Sequence, residues 1–295
     1  MREALAAALG EDVVGLEPVP GGDLNAAYRA TLAGGARVFV KTSADAAPGA
    51  YAAEAAGLRW LGAADALPVP EVLAVDDRWL ALAWVDGGGR LDEAALGRGL
   101  AVVHRAGAER FGTLPIGSGR GEGMSADGSG ADAPYVLGPL VLPNAPRAEW
   151  PAFYAESRLL PLARMAADRG ALDAGGVRAV ESVAAKIEEL AGPAEPPARL
   201  HGDLWSGNVH AGADGRPWLI DPAAYGGHRE IDLAMLSLFG SPSSAFGAAY
   251  DEVWPRADGH AERVALYQLL PLLVHAVLFG GGYGASARLA AERFV

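Results

Sequence analysis

The stretch "HGDLWSGN", residues 201–208, places an acid, Asp203, five positions before an amide, Asn208. Such a pair suits the transfer of a phosphoryl group from a nucleotide to a hydroxyl. A carboxylate orients the acceptor hydroxyl and takes its proton, while oxygen ligands hold Mg2+ on the phosphates. A second metal-binding carboxylate should come on the far side of a short strand pair, and "RPWLIDPA" supplies Asp221 directly after the apolar "WLI". Upstream, the chemistry needs a lysine late in a strand to hold the phosphates and a helical glutamate to orient it. Lys41 ends "RVFVK", and Glu54 sits in the Ala-rich "GAYAAEAAGLRWLG". The turn "PGGDLNAAY", with Gly21 and Gly22, precedes both and is the candidate glycine-rich lid over the nucleotide.

Each piece also has a plain structural reading. A lysine after a strand is commonly a solvated edge residue, a Gly-Gly pair a simple turn, and an Asp or Asn beside glycine a turn former. The order of the whole set is what points to a phosphotransferase. A rival uses some of the same letters: His201, Asp203, His210 and Asp221 could ligate a transition metal in a hydrolase. That reading leaves Lys41 and Glu54 without a role. Between Asp221 and the helix beginning near Arg229 there is too little chain for a phosphorylated activation loop, and Gly202 stands where a protein kinase carries arginine. A small-molecule acceptor is expected.

The elements that must position these residues show as changes of pattern. From Leu16 to about Trp84 the text reads as short strands: "AYRATL" and "RVFVKT" flank the turn "AGG", and "PEVLAVDDRWLALAWV" holds two more runs around Asp76 and Asp77. The Ala-rich segment between the hairpins reads as a helix. After the glycines at 87–89 the spacing becomes helical at Leu96, Leu100 and Val103, and again in "WPAFYAESRLLPLARMAA", "GGVRAVESVAAKIEELAG" and "AERVALYQLLPLLVHAVL". An α+β chain of two lobes is expected, with a strand-rich nucleotide-binding lobe over 1–86 and a mainly helical catalytic and substrate lobe over 87–295. Residues 117–132, "GSGRGEGMSADGSGAD", lack apolar periodicity and read as a surface loop.

At 295 residues and 51% hydrophobic content, the chain can bury a sizeable core. Its net charge of -12 disfavours a nucleic-acid partner, which needs clustered Lys and Arg. The absence of cysteine rules out disulfides and thiolate metal sites and suits a cytoplasmic setting. The opening "MREALAAALGED" carries acids too early for a signal peptide. The most apolar stretch, Ala265–Phe279, contains Gln268, Pro271 and His275 and falls short of the roughly 18 residues of a bilayer span, so no membrane partner is expected.

The block "HGDLWSGN", followed by "DPAAYGGHREIDLAM", resembles the fructosamine-3-kinase (ketosamine-3-kinase) family, a branch of the aminoglycoside and choline phosphotransferase group with a protein-kinase-like fold. The stretches "GGDLNAAY", "VFVKT", the Glu54 helix, "LGRGLAVVHR", "GPLVLPN" with "WPAFYAESRL", and "LYQLLPLLVH" resemble segments the family carries in this order. The likeness therefore covers most of the chain. Its specific part is the Leu-Trp-Ser-Gly inside the block, which the wider phosphotransferase group rarely has. Two features depart from the family: the 117–132 loop looks like an insertion, and Val274 precedes His275 where the family more often has Asn.

The resemblance implies ATP- and Mg2+-dependent phosphorylation of the third-carbon hydroxyl of a ketosamine, the adduct of glucose or ribose with an amine, carried by a small glycated amine or a glycated protein. The 3-phosphate is unstable and releases the amine, which amounts to deglycation. Asp203 is then the base, Asn208 and Asp221 the metal ligands, and Lys41 the phosphate contact held by Glu54. Trp84 and Val85, at the lobe junction, are expected to offer backbone groups to adenine. His201 should brace the loop, and Asp232 should anchor it by hydrogen bonds to buried amides. Trp205 offers an indole face to a sugar or amine, and His275 is either a satisfied core histidine or a sugar contact. Two other readings stay open: a phosphotransferase for another amino-sugar or amino-alcohol such as an aminoglycoside, and an inactive nucleotide-binding module.

Overall fold

Five strands, β1 (Val13–Val19), β2 (Ala26–Leu32), β3 (Arg37–Thr42), β4 (Val72–Asp76) and β5 (Trp79–Ala83), form an antiparallel sheet in the order β1-β2-β3-β5-β4. The computed structural model describes residues 1–20, 25–118 and 133–295. Gly21, Gly22 and all of the 117–132 loop after Ser118 lie outside the described residues. Successive strand residues point to opposite faces. Val38 and Val40 accordingly pack with Leu5 of helix α1 (Arg2–Leu9), whereas Phe39 packs with helix α2 (Ala50–Gly62) on the other face. Lys41, two residues after Phe39, is delivered to that α2 face.

The segment Ala50–Gly62 contains no β-branched residue and no proline, so helix formation costs little. Its buried stripe runs through Tyr51, Ala55, Leu58 and Leu61. Glu54 lies on the edge of this stripe, facing the sheet.

The second half is mainly helical. Helix α3 (Glu93–Arg105) starts at Asp92, whose side chain accepts a hydrogen bond from the Ala95 amide at 2.9 Å, an N-cap that satisfies a backbone donor with no partner inside the helix. The helical candidate from Trp150 is interrupted by a π-helical turn, Ala155–Leu159, before continuing as Leu160–Asp168. Short antiparallel pairs that the sequence did not signal also appear in this half: β6 (Tyr135–Leu137) with β7 (Leu140–Leu142), and β8 (Ala198–Leu200) with β11 (Tyr225–Gly227). Three-residue strands are too short to show alternation in a sequence. β9 (Val209–Ala211) and β10 (Pro217–Leu219) form the hairpin between Asn208 and Asp221.

The apolar helix matches the helical candidate over 261–278 to within a residue at each end. His260–Phe279 spans 20 residues, long and apolar enough by composition to cross a membrane, but 67% of its most apolar window is buried in the protein. Leu269, Leu272 and Leu273 join the main core around Trp150 and Tyr154.

A separate apolar cluster crosses the lobe junction, bringing Leu61 and Leu67 against Leu100, Leu204 and Leu219. Gly87 and Gly89 are pressed into this junction. A Cβ on Gly89 would lie 2.1 Å from the Gly212 carbonyl oxygen, and the Ala213 and Asp92 amides donate to Asp86 and Gly215 at 2.8 and 3.0 Å. The connection between lobes is thereby tied to the β9–β10 hairpin.

Candidate active site

Lys41 ends up between two acids. Its Nζ bonds the Glu54 carboxylate and lies 3.1 Å from Asp221 Oδ1, with the Lys41 and Glu54 side chains only 5% and 12% exposed. Burial alone would depress the ammonium's pKa. The two carboxylates outweigh it and raise the pKa, so Lys41 stays charged.

The loop carrying "HGDLWSGN" begins where β8 ends. Gly202 adopts φ +83°, and a Cβ there would lie 1.9 Å from the Ala223 carbonyl oxygen, so no other residue fits this turn. Asp232, fully buried on the helix Glu230–Leu236, accepts hydrogen bonds from the His201 and Gly202 amides at 2.7 and 3.0 Å. The same carboxylate meets His104 Nε2 at 3.2 Å, and His104 Nδ1 lies 2.8 Å from the Tyr250 hydroxyl.

Burial lowers the pKa of His201, leaving a neutral ring. Nε2–H then donates to the Ile220 carbonyl at 2.9 Å and Nδ1 accepts from the Asp203 amide at 3.3 Å. With both nitrogens engaged, His201 cannot ligate a metal. His210 lies beneath Gly87, its Cε1 only 2.6 Å from where a Cβ would stand. Among the described residues, no three His, Asp or Glu side chains converge to hold a metal ion. The hydrolase constellation is therefore not assembled.

Asn208 Nδ2 donates to the Asp203 backbone oxygen at 2.8 Å and to Asp203 Oδ2 at 3.2 Å. This leaves Asn208 Oδ1 as the side chain's acceptor. Burial, reinforced by the Asp221 charge, pushes the Asp203 carboxyl up to about 6, against the opposing pull of the Asn208 bond. Asp221 follows β10 at φ +53°, a conformation uncommon for a residue other than glycine. Its surroundings are stitched to the loop by amide bonds from Ile220 to the Asn208 carbonyl at 3.1 Å and from Ala223 to the His201 carbonyl at 2.9 Å.

Lys41, Glu54, Asp203, Asn208 and Asp221 line one cavity of about 350 Å³, with Trp205 and His275 in its wall. Trp205 is 40% exposed and packs edge-on to Phe239 at 6.1 Å between ring centroids. Burial lowers the His275 pKa, and its Nδ1 lies 2.7 Å from the Pro271 carbonyl. The neutral ring thus donates from Nδ1 and keeps Nε2 as an acceptor.

His201 and Asp232 brace the loop from behind and do not line the cavity, nor do Trp84 and Val85. The Trp84 amide donates to the Arg37 carbonyl at 3.3 Å and its indole to Asp86 at 3.1 Å. Sequence reasoning missed Asn25, Tyr51 and Tyr135, which also line the cavity. The Tyr51 hydroxyl donates to Asn25 Oδ1 at 3.0 Å. The only sequence signal for this pair was its place beside the glycine turn and Glu54.

Known proteins match this arrangement along the whole chain. The fructosamine kinase family model covers residues 1–295. A Thermus thermophilus protein assigned as a ketoamine kinase is 35% identical over 269 residues, covering 90% of this chain and 88% of the relative. The chloroplastic protein-ribulosamine 3-kinase of Oryza sativa subsp. indica is 31% identical, covering 97% of this chain and 84% of the relative. A crystal structure from Thermobifida fusca assigned as a fructosamine-3-kinase superposes with a TM-score of 0.85 at 45% identity, covering 99% of this chain and 98% of that one. The architecture is the two-lobed α+β fold of kinase-like phosphotransferases. The chain belongs to the fructosamine kinase family and is a phosphotransferase of the ketosamine kinase type.

Proposed function

We propose that the protein transfers the γ-phosphoryl group of ATP to the third-carbon hydroxyl of a ketosamine with Asp203 as the base. The observation that carries this reading is the meeting of Asp203, its pKa raised to about 6, with Asn208, Asp221 and the Lys41–Glu54 pair in one cavity. Asp203 takes the hydroxyl proton as the oxygen bonds to the γ-phosphorus and the bond to the β-phosphate oxygen breaks, releasing ADP. Lys41, held by Glu54, contacts the phosphates.

The donor set fits Mg2+: Asp221 and Asn208 Oδ1 are hard oxygen ligands, and the Asp221 charge that raises Asp203 marks a place short of positive charge. Bound there, Mg2+ would neutralise charge developing on the phosphates. Gly21 and Gly22 cover the nucleotide in this reading. Because the Trp84 amide is engaged with Arg37, the Trp84 carbonyl and the Val85 backbone are the groups offered to adenine. We place the nucleotide lobe at 1–86 and the catalytic and substrate lobe at 87–295.

Trp205 offers its indole face to the sugar or to the ketosamine ammonium. His275, as an Nε2 acceptor, receives a sugar hydroxyl or the ammonium proton. The exposed aromatic rim of Trp205, Phe239 and Phe279 leaves room for an amine carried on a small molecule or on a protein. A cytoplasmic setting without nucleic-acid or membrane partners suits the acidic, cysteine-free chain.

The test is ADP release from Mg2+ATP with fructosyl- and ribulosyl-lysine, free and on a protein, beside an aminoglycoside, with Asp203→Asn as control. Ketosamine turnover that disappears in the variant supports the assignment. Turnover of the aminoglycoside alone moves the acceptor, and nucleotide binding without turnover of any acceptor leaves an inactive module.

A further inference from the structure

Arg158 is fully buried, yet among the described residues its charge meets no carboxylate; the groups that favour its charged form are Tyr225 and Tyr135. Its guanidinium lies over three aromatic rings, 4.3 Å from Tyr135, 4.6 Å from Phe153 and 4.7 Å from Tyr225. The remaining contacts are neutral: Ser157 and Pro143 carbonyls at 2.9 and 3.1 Å and Asn144 Oδ1 at 2.9 Å. Burying a cation without an anion is costly, and stacking on rings recovers part of that cost. The residue sits in the π-helical turn Ala155–Leu159, a distortion often found at functional sites.

Two of the three rings belong to strands flanking the reacting groups. Tyr135, on β6, lines the cavity, and its hydroxyl donates to the Ala223 carbonyl at 2.7 Å. The Ala223 amide donates to the His201 carbonyl at 2.9 Å. Ala223 is therefore held at both its backbone amide and its carbonyl, two residues beyond Asp221 with its positive φ and directly against Gly202. A cation over the Tyr135 ring draws electron density from the phenol and makes its O–H a stronger donor to Ala223. The anchor opposes two forces that would loosen the site: the uncommon backbone of Asp221 and the repulsion between Asp221 and Asp203.

We propose that Arg158 is a positioning residue of the phosphotransfer site, which acts through the Tyr135 ring and hydroxyl on Ala223 to hold the backbone that presents Asp221 to the metal. The inference rests on the reading of Asp221 as a Mg2+ ligand.

The experiment is ADP binding, followed by calorimetry across a Mg2+ titration, in the wild type, Arg158→Met, Arg158→Lys and Tyr135→Phe, alongside the melting temperature of each protein without ligand. Methionine keeps the volume between the rings and removes the charge. A merely structural Arg158 would move the melting temperature and leave the Mg2+ requirement alone. A positioning Arg158 raises the Mg2+ concentration for half-maximal ADP binding by about 10- to 100-fold, while ADP binding without Mg2+ is unchanged. Arg158→Lys, which keeps the charge but not the planar stack, falls between wild type and Arg158→Met. Tyr135→Phe, which removes the hydroxyl through which Arg158 acts, moves the same way by at least as large a factor and decides the matter alone if Arg158→Met does not fold. An unchanged Mg2+ requirement in both Arg158→Met and Tyr135→Phe overturns the proposal and leaves the kinase reading standing. A wild type whose ADP binding ignores Mg2+ overturns the metal assignment and this proposal with it.

Discussion

The two walls of the cavity handle buried charge in opposite ways. On the strand side, Lys41 is enclosed by Glu54 and Asp221, a cation matched by neighbouring acids. On the loop side, the charges of Asp221 and Asp232 both push the buried Asp203 carboxyl upward, and the adjacent His201 ring is kept neutral by burial. Backbone amides, not cations, hold that wall together: Asp232 takes two of them, and Ala223 is tied to His201 and Tyr135. The strand wall carries a cation of its own, although burial and the Asp221 charge still push the Glu54 carboxyl up to about 7, whereas the loop wall is braced by amides and short of positive charge. In the proposed reaction, Mg2+ would answer that asymmetry on the loop side.

Removing one acid from the loop wall should have the largest effect and the sharpest sign. Asp203→Asn is expected to lower kcat by about 10² to 10⁴-fold while raising the melting temperature by about 2–5 °C. The folded-state pKa of about 6 exceeds the ordinary 3.8. The folded protein therefore binds this proton more tightly than the unfolded chain does, and ionisation costs stability as pH rises from about 4 through 6. Asparagine escapes that cost at neutral pH. A lower melting temperature in the variant would show that the loop wall is not short of positive charge.

Breaking the strand wall should do the reverse. Lys41→Met leaves Glu54 buried without its cation, with an expected loss of about 3–5 kcal/mol in denaturant unfolding and of nucleotide binding as well. Glu54→Gln should be milder, because Lys41 keeps Asp221. Equal losses in the two variants would mean that the pair is not the matched unit described here.

The pH profile gives a third, smaller contrast. kcat/KM should fall about tenfold per pH unit below about 6 as Asp203 protonates. Raising Mg2+ should move the midpoint downward, since a nearby cation favours the carboxylate. A midpoint indifferent to Mg2+ would separate the metal from Asp203. Smallest is the rim: Trp205→Ala should raise KM for the ketosamine by about 3- to 10-fold and leave the ATP KM and the melting temperature in place. A change in ATP KM instead would move the indole from the acceptor side to the nucleotide side.

The identity and order of Lys41, Glu54, Asp203, Asn208 and Asp221 were readable because each depends on a local pattern. Strand alternation carries Lys41 to the α2 face, a helix stripe carries Glu54, and a loop of fixed spacing carries Asp203 with Asn208. The glycines at 87–89 were read as a boundary, and nothing local showed them as a joint, because the shared apolar cluster and the bonds to the β9–β10 hairpin come from distant parts of the chain. His275 could be read as core or cavity, and only packing placed it in the cavity wall.

By itself, then, the sequence carried the family and the proposal for the reacting groups and their two lobes, since residue type and short-range spacing encode all three. The tertiary structure alone decided which ring nitrogen of His201 carries the proton, that Asp232 joins residues 30, 31 and 128 positions away, and that Arg158 is stacked among three rings. Periodicity reaches only a few residues along the chain, whereas these charges are set by what folding brings beside them and by the water it removes.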